Sequence, residues 1–297
     1  MTKFYITTPI YYPSAKPHMG HAYSSIASDV IARFKRMEGY EVSFLTGTDE
    51  HGLKIQKAAE ANKKDTQLFC DEISKTFVNL TSTLNLSNTD FIRTTEDRHK
   101  NTVTELWNLL EKNDQLYLSK YAGWYSVSDE AYYSENEIEE VDGNKVSKTS
   151  GSLVEWMEEE SFFFKLSEWE KPLLEFYNNN PNFIQPESRR NEVISFVSSG
   201  LKDLSVSRTT FKWGIPVPNN SKHIMYVWLD ALTNYLSATN YFKNHNEFWP
   251  ANVHVIGKDI LRFHAVYWPA FLLAADLPTP KRVYGHGWIL SGDEKMS

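Results

Sequence analysis

The passage that most constrains this chain lies near its start, KFYITTPIYYPSAKPHMGHAYSSIASDVIARFKRMEGY. A β-rich run, KFYITTP, ends at Pro9, and a proline-punctuated loop follows. Ala22, Ile26, Val30, Phe34 and Met37 then recur at helical spacing, and Gly39 is placed to cap the end. A strand that passes through a loop into a long helix is the opening half of a βα unit, and parallel strands need such crossovers.

The alternation continues. EVSFLTGTDEHG reads as a short buried strand running into a Gly-bearing loop, and DFIRTTED as another strand and turn. Between them Leu68, Phe69, Ile73, Phe77, Leu80 and Leu84 share a helical face, and after them Val103, Leu106, Trp107 and Leu110 share another. This order predicts an α/β fold on a parallel sheet.

From about Gln115 to Arg208 the text becomes short-period, aromatic and acidic, then holds two helical stretches. It carries too many aromatics to stay disordered, so it predicts a small, β-rich inserted domain followed by two helices. The α/β pattern then resumes. MYVWLDALTNYLSATNYF reads as helix, NVHVIGKD as a strand ending at Gly257, and DILRFHAVYWPAFLLAADLP as a helix kinked at Pro269. KRVYGHGWIL reads as a last strand and turn. The expected division is 1–114 and 211–297 as halves of one nucleotide-binding domain, with 115–210 inserted between them.

A formal net charge of −7 excludes a protein that meets nucleic acid over its whole face. The lone Cys70 excludes an internal disulfide and a Cys-based zinc knuckle, and its place in a helical apolar phase predicts a core thiol. No apolar run approaches the ~18 residues of a membrane span, and the start lacks a signal-peptide layout. A cytoplasmic protein with no membrane partner is expected.

Five stretches could carry chemistry. His18, Gly20 and His21 open the long helix just beyond a strand, where backbone N–H groups and the positive helix end favour an anion. They could equally be helix caps or half of a zinc site. In TGTDEHG, Asp49, Glu50 and His51 are expected to point into one crevice, where a carboxylate could hold an ammonium group or serve as an Asx turn. Trp228 and Tyr235 lie two helical turns apart, as core or pocket wall, and Asp230 between them must find partners or face a cavity. Gly257 and Lys258 follow a strand and suit the edge of a nucleotide, with Ile260, Phe263 and His264 beyond. The terminal GDEKMS offers Lys295 on a Gly-bearing loop, either a cation for a phosphoryl transition state or a solvated lysine.

Taken together and in this order, these stretches resemble class I aminoacyl-tRNA synthetases. HMGH is similar to the family's His-Ile-Gly-His signature, and KMS to the first three residues of its Lys-Met-Ser-Lys-Ser loop. TTPIYYPSAKPHMGHAY, TGTDEHGLKIQ, YVWLDAL, IGKDILRFHAVYWPAFL and YGHGWILSGDEKMS resemble the methionyl-tRNA synthetase family almost without gaps. The resemblance implies a Rossmann-like nucleotide-binding sheet interrupted by a connective insertion. It also implies a chain truncated within the Lys-Met-Ser loop, without the anticodon-binding domain, so that the fragment itself is expected to be impaired.

The implied activity is methionine–tRNA ligation with ATP and Mg2+, on L-methionine and tRNA(Met), including the initiator, by a monomer. His18, His21 and Lys295 would be catalytic, and Gly20, Gly257 and Lys258 would join them around ATP. Ile10, Tyr12, Asp49, Trp228, Ala231, Tyr235, Ile260, Phe263 and His264 would hold methionine, and Arg208 would help order the site. Relatives carry cysteine zinc knuckles in the insertion. Ser126 and Asp129 stand where such cysteines could, so no zinc or other metal site in the protein is expected. The rival readings are a class I synthetase for another apolar amino acid and a non-catalytic synthetase-like scaffold.

Overall fold

The computed structural model describes residues 1–129, 131–243, 247–292 and 294–295. In the first part, β1 (Lys3–Thr7), α1 (Met19–Met37), β2 (Glu41–Thr48), α2 (Leu53–Ala61), α3 (Thr66–Thr83), β3 (Asp90–Arg93) and α4 (Asp97–Lys112) follow in order. Strands β1 and β2 pair in parallel from Lys3↔Glu41 to Thr7↔Leu45. A strand from far along the chain, β14 (Val253–Gly257), lies on the other side of β1, with Ile6 opposite Val253. The sheet has six parallel strands in the order β3-β2-β1-β14, then β15 (Val283–His286) and β9 (Ile184–Gln185).

Both faces of this sheet are covered, which is why its strands read as near-continuous apolar runs. Successive residues of β1 point to opposite sides. Tyr5 joins a cluster with Leu45, Ile92, Trp107 and Phe271, while Ile6 joins another with Ala32, Phe44 and Val255.

Helix α1 forms where the periodicity placed it, and of the five residues that carried the period Ala22 alone is buried. The buried side is Ala22, Ser24, Ser25, Ser28, Asp29 and Ala32. Ile26, Val30, Phe34 and Met37 are exposed, Val30 by 61% and Met37 by 85%. Small residues let the helix axis approach the sheet, and their hydroxyls find local partners, as Ser28 does with the Ser24 carbonyl at 2.9 Å. Asp29 accepts from Ser87 N–H at 2.7 Å and from Arg33 Nε–H at 2.6 Å, which fixes the helix to the loop before β3.

In the middle, β4 (Leu116–Ser126), β5 (Ala131–Tyr133), the hairpin β6 (Ile138–Val141) and β7 (Asn144–Ser147), and β8 (Glu155–Phe164) precede α5 (Glu170–Asn179), β9 and α6 (Glu187–Ser198). Strands β4 and β8 pair antiparallel from Leu116↔Phe164 to Tyr125↔Glu155. At the far tip Asp129 accepts from Tyr133 at 2.7 Å, from Ser152 at 2.8 Å and from Ser150. This carboxylate and its hydroxyls fasten the region where cysteines could have stood. The stretch 115–210 is not wholly separate from the parallel sheet. Its residues Ile184 and Gln185 are the edge strand paired with Val283 and Tyr284, and Phe164, Leu173, Tyr177 and Val197 enter the main core.

Short strands β10 (Leu204–Ser205), β11 (Ser207–Arg208), β12 (Pro216–Val217) and β13 (Asn220–Met225) lead into helices α7 (Val227–Leu232) and α8 (Asn234–Ser237). After β14, a π-helical turn at Phe263–Tyr267 precedes α9 (Trp268–Ala274). Pro269 therefore lies inside a continuous helical run over 261–274, two residues after a π turn that interrupts the regular α-helical bonding where a proline N–H is missing. The chain closes with β16 (Leu290–Ser291) and β17 (Glu294–Lys295).

Gly47 on β2 shows how closely the sheet is fitted. A Cβ there would stand 2.0 Å from the Ile92 carbonyl oxygen. Gly47→Ala should force β2 and β3 apart and cost about 1–3 kcal/mol or more. A denaturant midpoint unchanged from the parent would contradict this.

Candidate active site

The carboxyl ends of β1, β2, β14 and β15 open into one cleft of about 500 Å³, within the range of small-molecule sites. Ile10, Tyr12, His18, Gly20, His21, Asp49, Trp228, Ala231, Tyr235, Gly257, Ile260 and His264 all line it. Residues from both ends of the sequence meet there because β1 pairs with both β2 and β14.

The histidine pair is built into the start of α1. His18 is its N-cap, and His18 Nδ1 accepts from Gly20 N–H at 3.1 Å. His21 Nδ1 accepts from His18 N–H at 3.0 Å, closing a reciprocal capping box. Each neutral ring thus spends Nδ1 on the backbone and keeps its proton on Nε2, as a donor. The rings lie 3.8 Å apart between centroids. Burial, with His18 beside it, pushes His21 down to about 3, so its ring is uncharged near neutral pH. Gly20 makes room for the His18 ring, since a Cβ would come within 2.9 Å of Cε1. Of the sequence readings of these residues, helix capping is the one the geometry displays.

The TGTDEHG stretch divides its side chains, which had been expected to point together. Asp49, 2% exposed, lines the cleft, and its N–H donates to the Tyr11 carbonyl at 2.9 Å. Glu50 turns away and accepts from Arg93 at 2.6 and 2.9 Å and from Thr95 at 2.6 Å. His51 turns to Asp230, with Nδ1 2.7 Å from Oδ2. Asp230 is fully buried and also meets His99 Nε2 at 2.6 Å. Despite burial, these partners hold its carboxyl down at about 2.

The aromatic side of the cleft is stacked in depth. Trp228 lies on Phe263 with centroids 3.6 Å apart and planes 5° apart, so Phe263 backs the wall and is not itself on the lining. His264 donates Nδ1–H to the Ile260 carbonyl at 3.0 Å and accepts the Tyr235 hydroxyl at Nε2, 2.7 Å away. Burial lowers His264 to about 4, consistent with that neutral tautomer.

Lys258 stands behind the lining, its Nζ 3.9 Å from the centroid of Trp288, which does line the cleft. Gly257 leaves space for the Asp259 carboxylate, which a Cβ would meet at 2.5 Å. Arg208 is not at the cleft. It is 2% exposed on β11, which pairs with β13, and lies 4.6 Å from the rings of Tyr132 and Tyr226, with Nη1 donating to the Ser207 carbonyl at 2.7 Å. The backbone of Lys295 pairs with Leu290. The role expected of its side chain falls outside the described residues.

Sequence reasoning missed Tyr11, Ser24, Lys54, Asp259, His286 and Trp288, all on the lining. Tyr11 bonds Ser25 at 2.9 Å, and His286 Nε2 lies 2.8 Å from Ser24 Oγ, tying β15 to α1. GHGW carried the signal, as a turn at the end of a parallel strand, where ligands bind.

A parallel sheet with a paired-imidazole helix start, an inserted lobe and a carboxylate beside an aromatic wall is the catalytic architecture of a class I tRNA synthetase. Within that class, the tRNA synthetases class I (M) family matches residues 4–297, and the chain belongs to it. Methionine–tRNA ligases of Rickettsia bellii and Rhizobium meliloti are 59% and 58% identical over 99% of this chain. The chain spans about 58% of the length of each.

Among solved structures, Mycobacterium tuberculosis methionyl-tRNA synthetase in complex with methionyl-adenylate is 50% identical. It superposes with a TM-score of 0.96 over 97% of this chain and 57% of that one. The apo form of the same enzyme, 48% identical, gives 0.84 over 97% of this chain and 56% of that one. The present arrangement is thus nearer to the adenylate complex.

Folding keeps His21 and His264 neutral, while the unfolded chain binds their protons near the ordinary value of 6.5. Native pKa values below the unfolded ones mean that stability falls as pH drops below about 6.5. The urea midpoint should therefore be lower at about pH 5 than at about pH 7.5, by more in the parent than in a His264→Asn variant. Equal pH dependence in the two would refute this.

Proposed function

We propose that this chain is the catalytic part of an enzyme that activates L-methionine with ATP and transfers the methionyl group to tRNA(Met), including the initiator. The carrying observation is that one cleft holds both a pair of neutral imidazole donors at a helix start and a buried carboxylate beside a stacked aromatic wall. The first half suits a triphosphate, and the second suits an ammonium group with a soft apolar side chain.

In the first step a carboxylate oxygen of methionine attacks the α-phosphorus. The bond from that phosphorus to the bridging oxygen breaks, and pyrophosphate leaves. The carboxylate is already ionised near neutral pH, so no general base is needed, and positioning with charge stabilisation supplies the rate. Nε2–H of His18 and His21 donate to phosphate oxygens, aided by the positive end of α1. Lys295 is assigned to the charge that gathers on the leaving pyrophosphate. Asp49 takes the ammonium group, and Trp228, Ala231, Tyr235, Ile260 and His264, with Ile10 and Tyr12, enclose the thioether. In the second step a hydroxyl of the terminal tRNA ribose attacks the activated carbonyl and AMP leaves.

Among the described residues no three His, Cys, Asp or Glu side chains gather to hold a metal. Magnesium would accordingly be held by the phosphates of ATP, where it would screen their charge. We take the protein to act as a monomer, with 115–210 as the connective insertion.

The test is amino-acid-dependent exchange of pyrophosphate into ATP by the full-length enzyme. Exchange with methionine, weaker with homocysteine and absent with leucine, is the expected result; exchange driven by another amino acid overturns the pocket assignment. One missing methyl separates homocysteine from methionine by only about 1–3 kcal/mol. The homocysteine thiolate should therefore attack its own activated carbonyl, displacing AMP and releasing thiolactone, and absence of thiolactone would exclude that step.

The insertion is also proposed to hold no zinc, because the carboxylate–hydroxyl cluster at Asp129 supplies the fastening that thiolates would give. Elemental analysis of the purified protein should find zinc well below one per chain, and stoichiometric zinc would contradict this.

A further inference from the structure

Behind the aromatic wall lies a charged group that the proposed chemistry does not use. Asp230 is on α7 and is fully buried. Its Oδ2 meets Nδ1 of His51 at 2.7 Å, and its Oδ1 meets Nε2 of His99 at 2.6 Å. The three residues belong to separate elements: His51 follows β2 two residues after Asp49, His99 is in α4, and Asp230 is in α7. Ser237 of α8 extends the chain of contacts, with Oγ 3.0 Å from His99 Nδ1. The His51 ring is held edge-on to Trp213 at 5.8 Å, and Gly52 N–H donates to the Trp213 carbonyl at 3.0 Å.

Helices α7 and α8 have six and four residues and no side-chain cap. Helices of that length do not hold their own position. Yet Trp228, Ala231, Leu232, Asn234 and Tyr235, all on these two helices, line the cleft. Asp230 is the one charged residue in either helix. Burying a carboxylate is costly unless it is fully bonded, and two charge-assisted bonds meet that cost here. Those bonds run to the segment that bears Asp49 on one side and to α4 on the other.

We propose that Asp230 is a positioning residue of the amino-acid pocket. Through His51 and His99 its carboxylate sets the spacing between the wall bearing Asp49 and the wall bearing Trp228, Ala231 and Tyr235. The inference rests on the reading of this cleft as a methionine site. It predicts that the clamp acts on methionine and not on ATP, whose proposed contacts at His18 and His21 lie at the start of α1, a different element from those that carry the three residues.

The experiment is steady-state pyrophosphate exchange by the full-length enzyme, varying methionine and ATP separately. In Asp230→Asn the methionine KM should rise by about tenfold or more, with the ATP KM within about twofold of the parent. KM does not depend on the active fraction, so partial misfolding lowers the amplitude without imitating this split. An asparagine amide can replace Nδ1–H of His51, and a glutamine amide can replace Nε2–H of His99. His51→Asn and His99→Gln should therefore keep the methionine KM within about threefold, while His51→Leu and His99→Leu should raise it as Asp230→Asn does.

If Asp230→Asn does not fold, the contrast between His99→Gln and His99→Leu decides by the same KM criterion. An unchanged methionine KM in the folded variants, with only thermal stability lowered, would reduce the clamp to a structural role and overturn the proposal. Absence of methionine-dependent exchange in the parent would instead overturn the functional reading.

Discussion

The pairing of β1 with two neighbours from opposite ends of the chain is the constraint on which everything else rests. Ile6 lies beside Phe44 on one side and Val253 on the other, and the same register continues through the parallel strands. All carboxyl ends then fall on one edge, so each loop that leaves a strand enters the same cleft. The histidines after β1, Asp49 after β2, Gly257 and His264 after β14 and His286 at the end of β15 are brought together by this alone. Burial of both sheet faces supplies the stabilisation, and the inserted lobe can grow between strands without disturbing the register.

The cleft acts through placed donors and acceptors more than through net charge. His21 and His264 are kept neutral by burial; His21 commits Nδ1 to the His18 N–H, and His264 commits both ring nitrogens, to the Ile260 carbonyl and the Tyr235 hydroxyl. The carboxylates nearby are divided in use. Glu50 is spent on Arg93 and Thr95 and Asp230 on two histidines, while Asp49 and Asp259 lie on the lining. Glu50 and Asp230 hold the frame, and Asp49 is left facing the cleft.

How far the sequence can be read follows from how local each signal is. The βα alternation was legible because strand and helix periods are set by neighbours within a few residues, and α4 buries the residues its spacing named. The α1 spacing was legible as a helix but did not name its buried face. Hydropathy favours Ile26, Val30 and Phe34 as the buried side, whereas close packing on the sheet selected Ala22, Ser28 and Ala32. Nor could the text show that His51 would turn from the cleft, that Arg208 would lie among tyrosines, or that Ile184 would become a sheet edge. Each depends on partners far along the chain: Asp230, Tyr226 and Tyr132, and Val283.

The sequence by itself determined the class of fold and the residue types that meet in the cleft, because these follow from short-range periodicity and from motifs read in order. Tertiary structure alone decided which of those side chains face a ligand and which bind one another. A carboxylate or an imidazole has the same chemistry in either role. What separates the roles is the presence, within about 3 Å, of a buried partner that must be satisfied.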